Sequence, residues 1–405
     1  MDPMLRYFPV ALLIATACSA SPQGPNRSEG PKASTQVPRN SPLEPNIKNV
    51  PATTGRANLP ASPPPFTVTP IGKFDEPFAL AFLPDGRLLV TEKTGRLKLR
   101  AADGAVTTIA GTPRVATGGQ GGLLDVAAAP DFATSKTVYL SYAEPGADGS
   151  ALALMRATLD EQANRLGKAE VIWRSGMNGP GGQFGATILF SPDGKYLFLS
   201  SGERQRFTPA QDPKQALGKI LRLTLDGKAA PGNPMYDRGG VEAMTWSTGH
   251  RNPYGLAFTP DGRLWEEEMG PRGGDELNLI VAGKNYGWPI VSNGDNYSGQ
   301  PIPDHPSKPE YEAPKLWWNP SISPGGMIYY SGSMFPDLKG SLLIAAMSDA
   351  GLAHVTLAGD VATSAHFWDF GTRLRDIAQA PDGSIWLLED GGQGAQGRLM
   401  RLTPR

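Results

Sequence analysis

Four glycine-rich segments hold the side chains best suited to chemistry: TGGQGGLLDV (117–126), GHRNPYGLAF (249–258), MGPRGGDELNLIVAGKNYGWP (269–289) and GTRLRDI (371–377). Arg251 and Asn252 set a cation beside an amide, a pair able to hold anionic or carbonyl oxygens. Arg373 and Arg375 alternate, which on a strand puts both on one face. They are either two contacts for one planar anion or two solvated side chains. GGDELN gathers oxygen donors, as a turn with a capping acid or as a hard-cation site. Gln120, between glycines, is a polar loop residue or a ligand contact. Glu266, Glu267 and Glu268 form an acidic run whose members alternate faces on a strand, so that one or two point inward. Solvated or cation-linked carboxylates are the expectation there. Of the four histidines (His250, His305, His354 and His366) only His250 lies in one of these segments, and it is expected to be structural. Trp288, Trp317 and Trp318 read as packing residues.

The elements that must position these residues repeat along the chain. LAFLPDGRLLVTEKTGRL (80–97), ILFSPDGKYLFLSSGE (188–203), LAFTPDGRLWEEEMG (256–270) and IAQAPDGSIWLLEDGG (377–392) each run apolar strand, P-D-G turn, alternating strand. Proline suits the first corner of such a turn, aspartate bonds back to the backbone, and glycine supplies positive φ. Weaker copies occupy 123–144 and 325–347, so the turn prolines fall at 84, 130, 192, 260, 336 and 381. Six copies at these long, uneven spacings predict an all-β, six-bladed propeller over 66–405, its ligand face built from convergent loops.

The chain has 405 residues with 49 Gly and 39 Pro, a turn-rich balance that argues against a helical protein. A net charge of -1 gives no basic field for nucleic acid. The one cysteine, Cys18, ends a short apolar run (Phe8 to Ile14) and the small-residue stretch Ala15-Thr16-Ala17. Residues 1–18 thus read as an export signal of bacterial lipoprotein type, too short to span a bilayer. Residues 19–65 hold eleven of the 39 prolines and are expected to form a disordered tether. The protein is therefore expected in the periplasm or on the outer membrane, touching the bilayer only through its lipid anchor.

The four segments, in this order on a six-fold repeat, resemble the soluble quinoprotein glucose/sorbosone dehydrogenases, in particular the periplasmic aldose sugar dehydrogenases. The resemblance covers residues 66–405. It implies pyrroloquinoline quinone (PQQ) and calcium as cofactors, oxidation of an aldose at C1 to the lactone, and an electron acceptor it does not identify. By the same resemblance Gln120 lies near substrate and cofactor, and Arg251 and Asn252 contact the quinone oxygens. Arg373 and Arg375 hold the cofactor carboxylates, and the carbonyls of Gly270 and Pro271 bind the active-site calcium. A further calcium is implied at Glu276 and the Tyr286 carbonyl, with Asp295 or Asn296 nearby.

The chain departs from that pattern where the proton is moved. Gln183 stands at the position of the family's catalytic histidine, and an amide cannot hold a proton at ordinary pH. Thr187 stands where the family has arginine, Ser348 where it has a quinone-contacting lysine, and Met269 where relatives have a polar residue. Two functions follow: an aldose-oxidising quinoprotein of weakened activity, or a non-catalytic periplasmic propeller binding a carbohydrate, calcium or a protein partner. A glutamate of the 266–268 run is the first candidate for a substitute base.

Overall fold

Residues 63–405 are described by a computed structural model; the export signal, Cys18 and nearly all of the 19–65 tether lie outside the described residues. Twenty-four strands form six four-stranded antiparallel sheets, the expected six blades. Blades 1 to 5 span 77–109, 123–174, 185–248, 253–318 and 324–369. Each of the six turn prolines sits between the first and second strand of its blade. Blade 6 takes three strands from 374–404 and its fourth from Phe66–Asp75, paired from Phe66↔Pro404 to Asp75↔Gln396. This closes the ring by tying the start of the described chain to its end, and it covers the edge of the last strand, Gln396–Pro404. The core lies between blades, where alternate residues of neighbouring sheets meet, as in the cluster of Phe78, Leu124, Tyr139, Phe184, Leu199 and Tyr254.

Around the central channel every first strand carries a register irregularity near its start, as between Leu123 and Val126 or Gly185 and Ile188. The backbone N–H groups freed there need partners, because orphaned buried donors are costly. Hydroxyls supply them. Thr91 accepts from Ala79 N and donates to Leu124 O in the next blade. Ser141 accepts from Asp125 N and donates to Ala186 O, and Ser200 accepts from Thr187 N and donates to Pro253 O. These three rungs tie blades 1 through 4 in series.

Carboxylates make two further rungs. Asp125 accepts from Val126 N and from Ile188 N of blade 3; Asp376 accepts from Ile377 N and from Leu80 N of blade 1. Both face a channel cavity of about 60 Å³. Burial pushes Asp125 up to about 7 and Asp376 up to about 8, the latter also through repulsion from Asp125. Since the ordinary value for Asp376 is 3.8, the folded protein holds a proton that the unfolded chain releases between pH 4 and 8. This contribution to stability is complete below that window and lost as pH rises through about 8. The unfolding midpoint is expected to drop as pH rises from about 4 to about 8. Asp376→Asn should flatten that slope by up to about 1.4 kcal/mol per pH unit, whatever its offset at neutral pH. Thermal unfolding across the pH range checks this.

Candidate active site

In an antiparallel blade, the turn joining the first and second strands lies at one end. The turn joining the second and third, and the link to the next blade, lie at the other. The P-D-G turns occupy the first end. The candidate residues fall at the second: Lys93, Glu203, Gly270, Ser348 and Asp390 in second-to-third turns, and Gln120, Gln183, Arg251 and Arg373 in links between blades. The long 281–315 connection of blade 4 returns to the same region, with Trp288 N donating to Gly249 O and Tyr286 stacked on His250.

Gln183 is the best-fixed of these residues. Its N–H donates to Gln120 Oε1 (2.6 Å), and its carbonyl accepts from Arg204 N (3.1 Å). Its own φ is 55° and that of Ala186 is 89°, left-handed values that side chains other than glycine seldom adopt. Gly202 packs so closely that a Cβ there would come within 2.2 Å of the Gln183 carbonyl oxygen. Arg204, fully buried over the Phe184 ring, donates to the carbonyls of Ser150, Gly179, Gly181 and Gly182 and locks the segment. Burial, then repulsion from Arg206, lowers its guanidinium to about 10 despite the opposing charge of Glu203. The Gln183 amide, oriented to satisfy both neighbours, donates to Glu203 Oε1 and accepts from Arg251 Nη2 (2.7 Å).

Glu203 is buried, and burial raises its carboxyl above the usual range despite N–H donors from Phe207 and Arg206 and the nearby Arg251. Arg251 is the hub. Its Nη1 donates to the carbonyls of Met269 (2.9 Å) and Gly270 (2.6 Å), and its backbone N–H donates to Glu268 Oε2. Asn252 adds a bond from its N–H to Glu268 Oε2 and accepts from Gly185 N. The structure thus joins Gln120, Gln183, Glu203, Arg251 and Asn252 into one hydrogen-bonded group.

Arg373 and Arg375 share a target rather than a strand. Arg373 lies in the link before the strand Leu374–Gln379, and a register irregularity separates Leu374 from Asp376. Both side chains nevertheless reach Asp390, Arg373 Nε at 2.8 Å and Arg375 Nη2 at 3.2 Å. Burial would raise Asp390, but Arg375 and Arg373 outweigh it and hold the carboxyl at about 2. Lys93, whose Nζ donates to Gly119 O beside Gln120, is lowered by burial and by Arg375. Ser348 donates its hydroxyl to Ser321 O. Thr187 donates to Tyr254 O and lines the channel cavity with Asp125 and Asp376, below the mouth.

The acidic run separates the two expectations for it: none of its members is solvated. Glu266, Glu267 and Glu268 are all buried, because their strand (Leu264–Glu268) is covered on both faces. They do alternate. Glu266 and Glu268 lie with His250, their ligand atoms mutually within 4.8 Å, and Asn278 Nδ2 donates to both Glu266 and Glu276. Glu267 points the other way, both carboxyl oxygens without a partner. Burial, then repulsion from Asp275 and Glu268, raises it well above the usual carboxylate range. It sits where blades 1 to 3 have Thr91, Ser141 and Ser200.

Glu268, Gly270, Glu276 and Tyr286 line one small cavity of about 10 Å³, room for a single water-sized occupant. Pro271 is buried beside it. Asp295 pairs its backbone with Arg272, and Asn296 turns its amide to Gln300 O, so neither lines this cavity. His250 is buried, with Nε2 on Ser247 Oγ (2.8 Å), which agrees with a structural role. Trp288, Trp317 and Trp318 are buried, as packing residues are.

Sequence reasoning missed Lys93, Glu203 and Asp390. A signal existed: the second strand of four P-D-G repeats ends in an acid, in VTEK, SSGER, EEEMG and LLEDG. Those strand ends all point to the ligand face.

The chain matches the Glucose / Sorbosone dehydrogenase family model over residues 74–401. It is 39% identical over 345 residues to the aldose sugar dehydrogenase YliI of Escherichia coli, covering 82% of this chain and 91% of that one. The crystal structure of the apo-form of the soluble aldose sugar dehydrogenase from Escherichia coli superposes with a TM-score of 0.77 at 36% identity, covering 84% of this chain and 100% of that one. The PQQ-bound aldose sugar dehydrogenase of Streptomyces coelicolor gives 0.68 at 30% identity, covering 85% and 100%. With the six-bladed fold and the grouping of these residues at one mouth, the chain belongs to the glucose/sorbosone dehydrogenase family.

Proposed function

We propose that this chain is a PQQ-dependent aldose dehydrogenase whose proton chemistry is rebuilt around Gln183 and Glu203. The observation that carries the reading is the convergence of cations at the mouth, with unpartnered donors among them. Lys93, Arg373 and Arg375 converge around Asp390, with Glu76 near Lys93, and Arg251 lies across the site. The Nε atoms of Arg251 and Arg375 are buried without a hydrogen-bond partner. A trianionic planar cofactor fits that donor set. When bound, PQQ would supply an ortho-quinone able to accept a hydride from C1 of the sugar.

The chain's own residues do the rest. Arg251 and Asn252 orient the quinone oxygens, while Arg373, Arg375 and Lys93 hold the carboxylates. Gln183 binds and orients the anomeric hydroxyl but cannot take its proton. Glu203, in contact with the Gln183 amide, is the nearest group that can. Titrating the metal-loaded protein with PQQ tests the reading: saturable binding at micromolar concentration or tighter is expected, and no binding contradicts it. Gln183 is also what favours a second reading, a carbohydrate-, calcium- or protein-binding propeller without turnover. That protein would not oxidise aldoses whatever its cofactor content.

Calcium belongs in the cavity lined by Glu268, Glu276, Gly270 and Tyr286, where hard carboxylate and carbonyl oxygens meet. Burial and repulsion from Glu268 raise Glu266 beside it, so a divalent cation would relieve two crowded carboxyls. Calcium should raise the unfolding midpoint by several degrees over chelator-treated protein, and Glu268→Gln should shrink that gap. Equal midpoints with calcium and with chelator would remove the metal. Export and lipidation at Cys18 are part of the same proposal. They are tested by Cys18→Ala, which should release the protein from membranes.

A further inference from the structure

Exposed aromatic side chains gather at this mouth. Among the described residues only Phe207, Tyr236 and Tyr297 are large exposed aromatics, and two of the three flank Arg251. Tyr297 is 71% exposed, with its hydroxyl 3.4 Å from Arg251 Nη2. Phe207 is 46% exposed and lies nearly parallel to Trp288, ring centroids 5.7 Å apart and planes 30° apart. The Arg251 guanidinium carbon is 5.2 Å from the Trp288 ring centre and 5.9 Å from that of Tyr297. An aromatic arc therefore runs Phe207, Trp288, Arg251, Tyr297 around the group that faces Gln183.

Phe207 is held there against its preference. Its φ is 62° and its ψ is -82°, and Thr208 N donates to Arg206 O across it. That is a γ-turn of the strained hand, an outlier for a bulky side chain. Arg204 and Gln205 also have positive φ, 61° and 58°. Glu203 holds the turn by accepting from both Arg206 N and Phe207 N. Strain of this kind persists where the surrounding structure fixes it and clusters at ligand clamps. Its effect here is to present a phenyl face to solvent on a buried indole.

We propose that Phe207, backed by Trp288, is a stacking platform for the pyranose ring of the substrate, with Tyr297 as the opposing wall. The inference rests on the dehydrogenase reading for where the reacting carbon lies. The apolar C–H face of a pyranose covers an aromatic ring, and its hydroxyl edge then meets the Arg251–Gln183 side of the arc. The same face accepts the second ring of a reducing disaccharide, so the platform sets affinity for the sugar and leaves the cofactor alone.

The test is calorimetric titration of wild type, Phe207→Ala, Phe207→Tyr and Tyr297→Ala with maltose, with and without bound PQQ, alongside a PQQ titration and unfolding midpoints. Phe207→Ala should weaken maltose roughly 5- to 10-fold, with PQQ affinity and unfolding midpoint unchanged. Phe207→Tyr should restore binding, which a merely structural role would not require. Equal maltose affinities in wild type and Phe207→Ala overturn the platform, even where PQQ binds and is reduced. If no variant binds PQQ, the dehydrogenase reading fails instead. The platform then still requires tighter maltose binding by wild type than by Phe207→Ala, and its absence overturns the platform too.

Discussion

Replacing Gln183 by histidine is expected to raise the aldose oxidation rate by about 10²-fold, the scale of a positioned general base. The structure holds what an imidazole at this position needs. Glu203 Oε1 already accepts from the 183 side chain and would accept an imidazole N–H, leaving the other ring nitrogen to take the substrate proton. Gln120 Oε1, which accepts from Gln183 N, together with Arg204 and Gly202 fixes the backbone independently of the side chain. Two controls sharpen the expectation. Glu203→Gln in the wild type should abolish residual turnover, and the same change in the Gln183→His background should take back most of the gain. Steady-state rates with a saturating artificial acceptor measure all four proteins. A Gln183→His protein no faster than wild type, with PQQ bound, would show that proton transfer is not what limits this chain.

Arg375→Met is expected to weaken PQQ by about 10- to 100-fold, the effect of losing one charge-assisted contact of about 1.5–3 kcal/mol. It should also destabilise the fold, because Asp390 would lose the larger of the two attractions that hold its carboxyl at about 2. Breaking a buried pair from one side leaves an uncompensated charge. The double variant Arg375→Met/Asp390→Asn separates the effects. Its unfolding midpoint should recover while its PQQ affinity stays low. Recovery of both would make Arg375 a structural partner of Asp390 only.

The blades were legible because their signal is local and repeated. A P-D-G corner dictates a turn wherever it occurs, and six of them count the sheets. The first strand, Phe66–Asp75, carries no such turn, and its pairing with 396–404 is a long-range fact no local pattern states. The site was legible where a side chain sits in a glycine-rich loop, as with Gln120 and Arg251. It was not legible where function depends on a neighbour from another blade. Glu203 matters because its carboxyl meets the amide of Gln183, which the chain reaches only by folding. The 266–268 run stayed between two readings for a related reason. Three successive glutamates look solvated in sequence, and only the packing of both strand faces shows them buried. Arg373 and Arg375 were paired by alternation, yet what unites them is Asp390, across the sheet.

The most direct test of the dehydrogenase reading is a single-turnover measurement on the wild-type protein loaded with calcium and PQQ. Excess aldose is added without any external acceptor, and the absorbance of the bound oxidised quinone is followed. The account predicts a loss of the oxidised spectrum, one equivalent per chain. The loss should be slow and should speed up as rising pH ionises Glu203, whose raised carboxyl must be deprotonated to accept the sugar's proton. Bound quinone that stays oxidised with every aldose, in wild type and in Gln183→His alike, would contradict it.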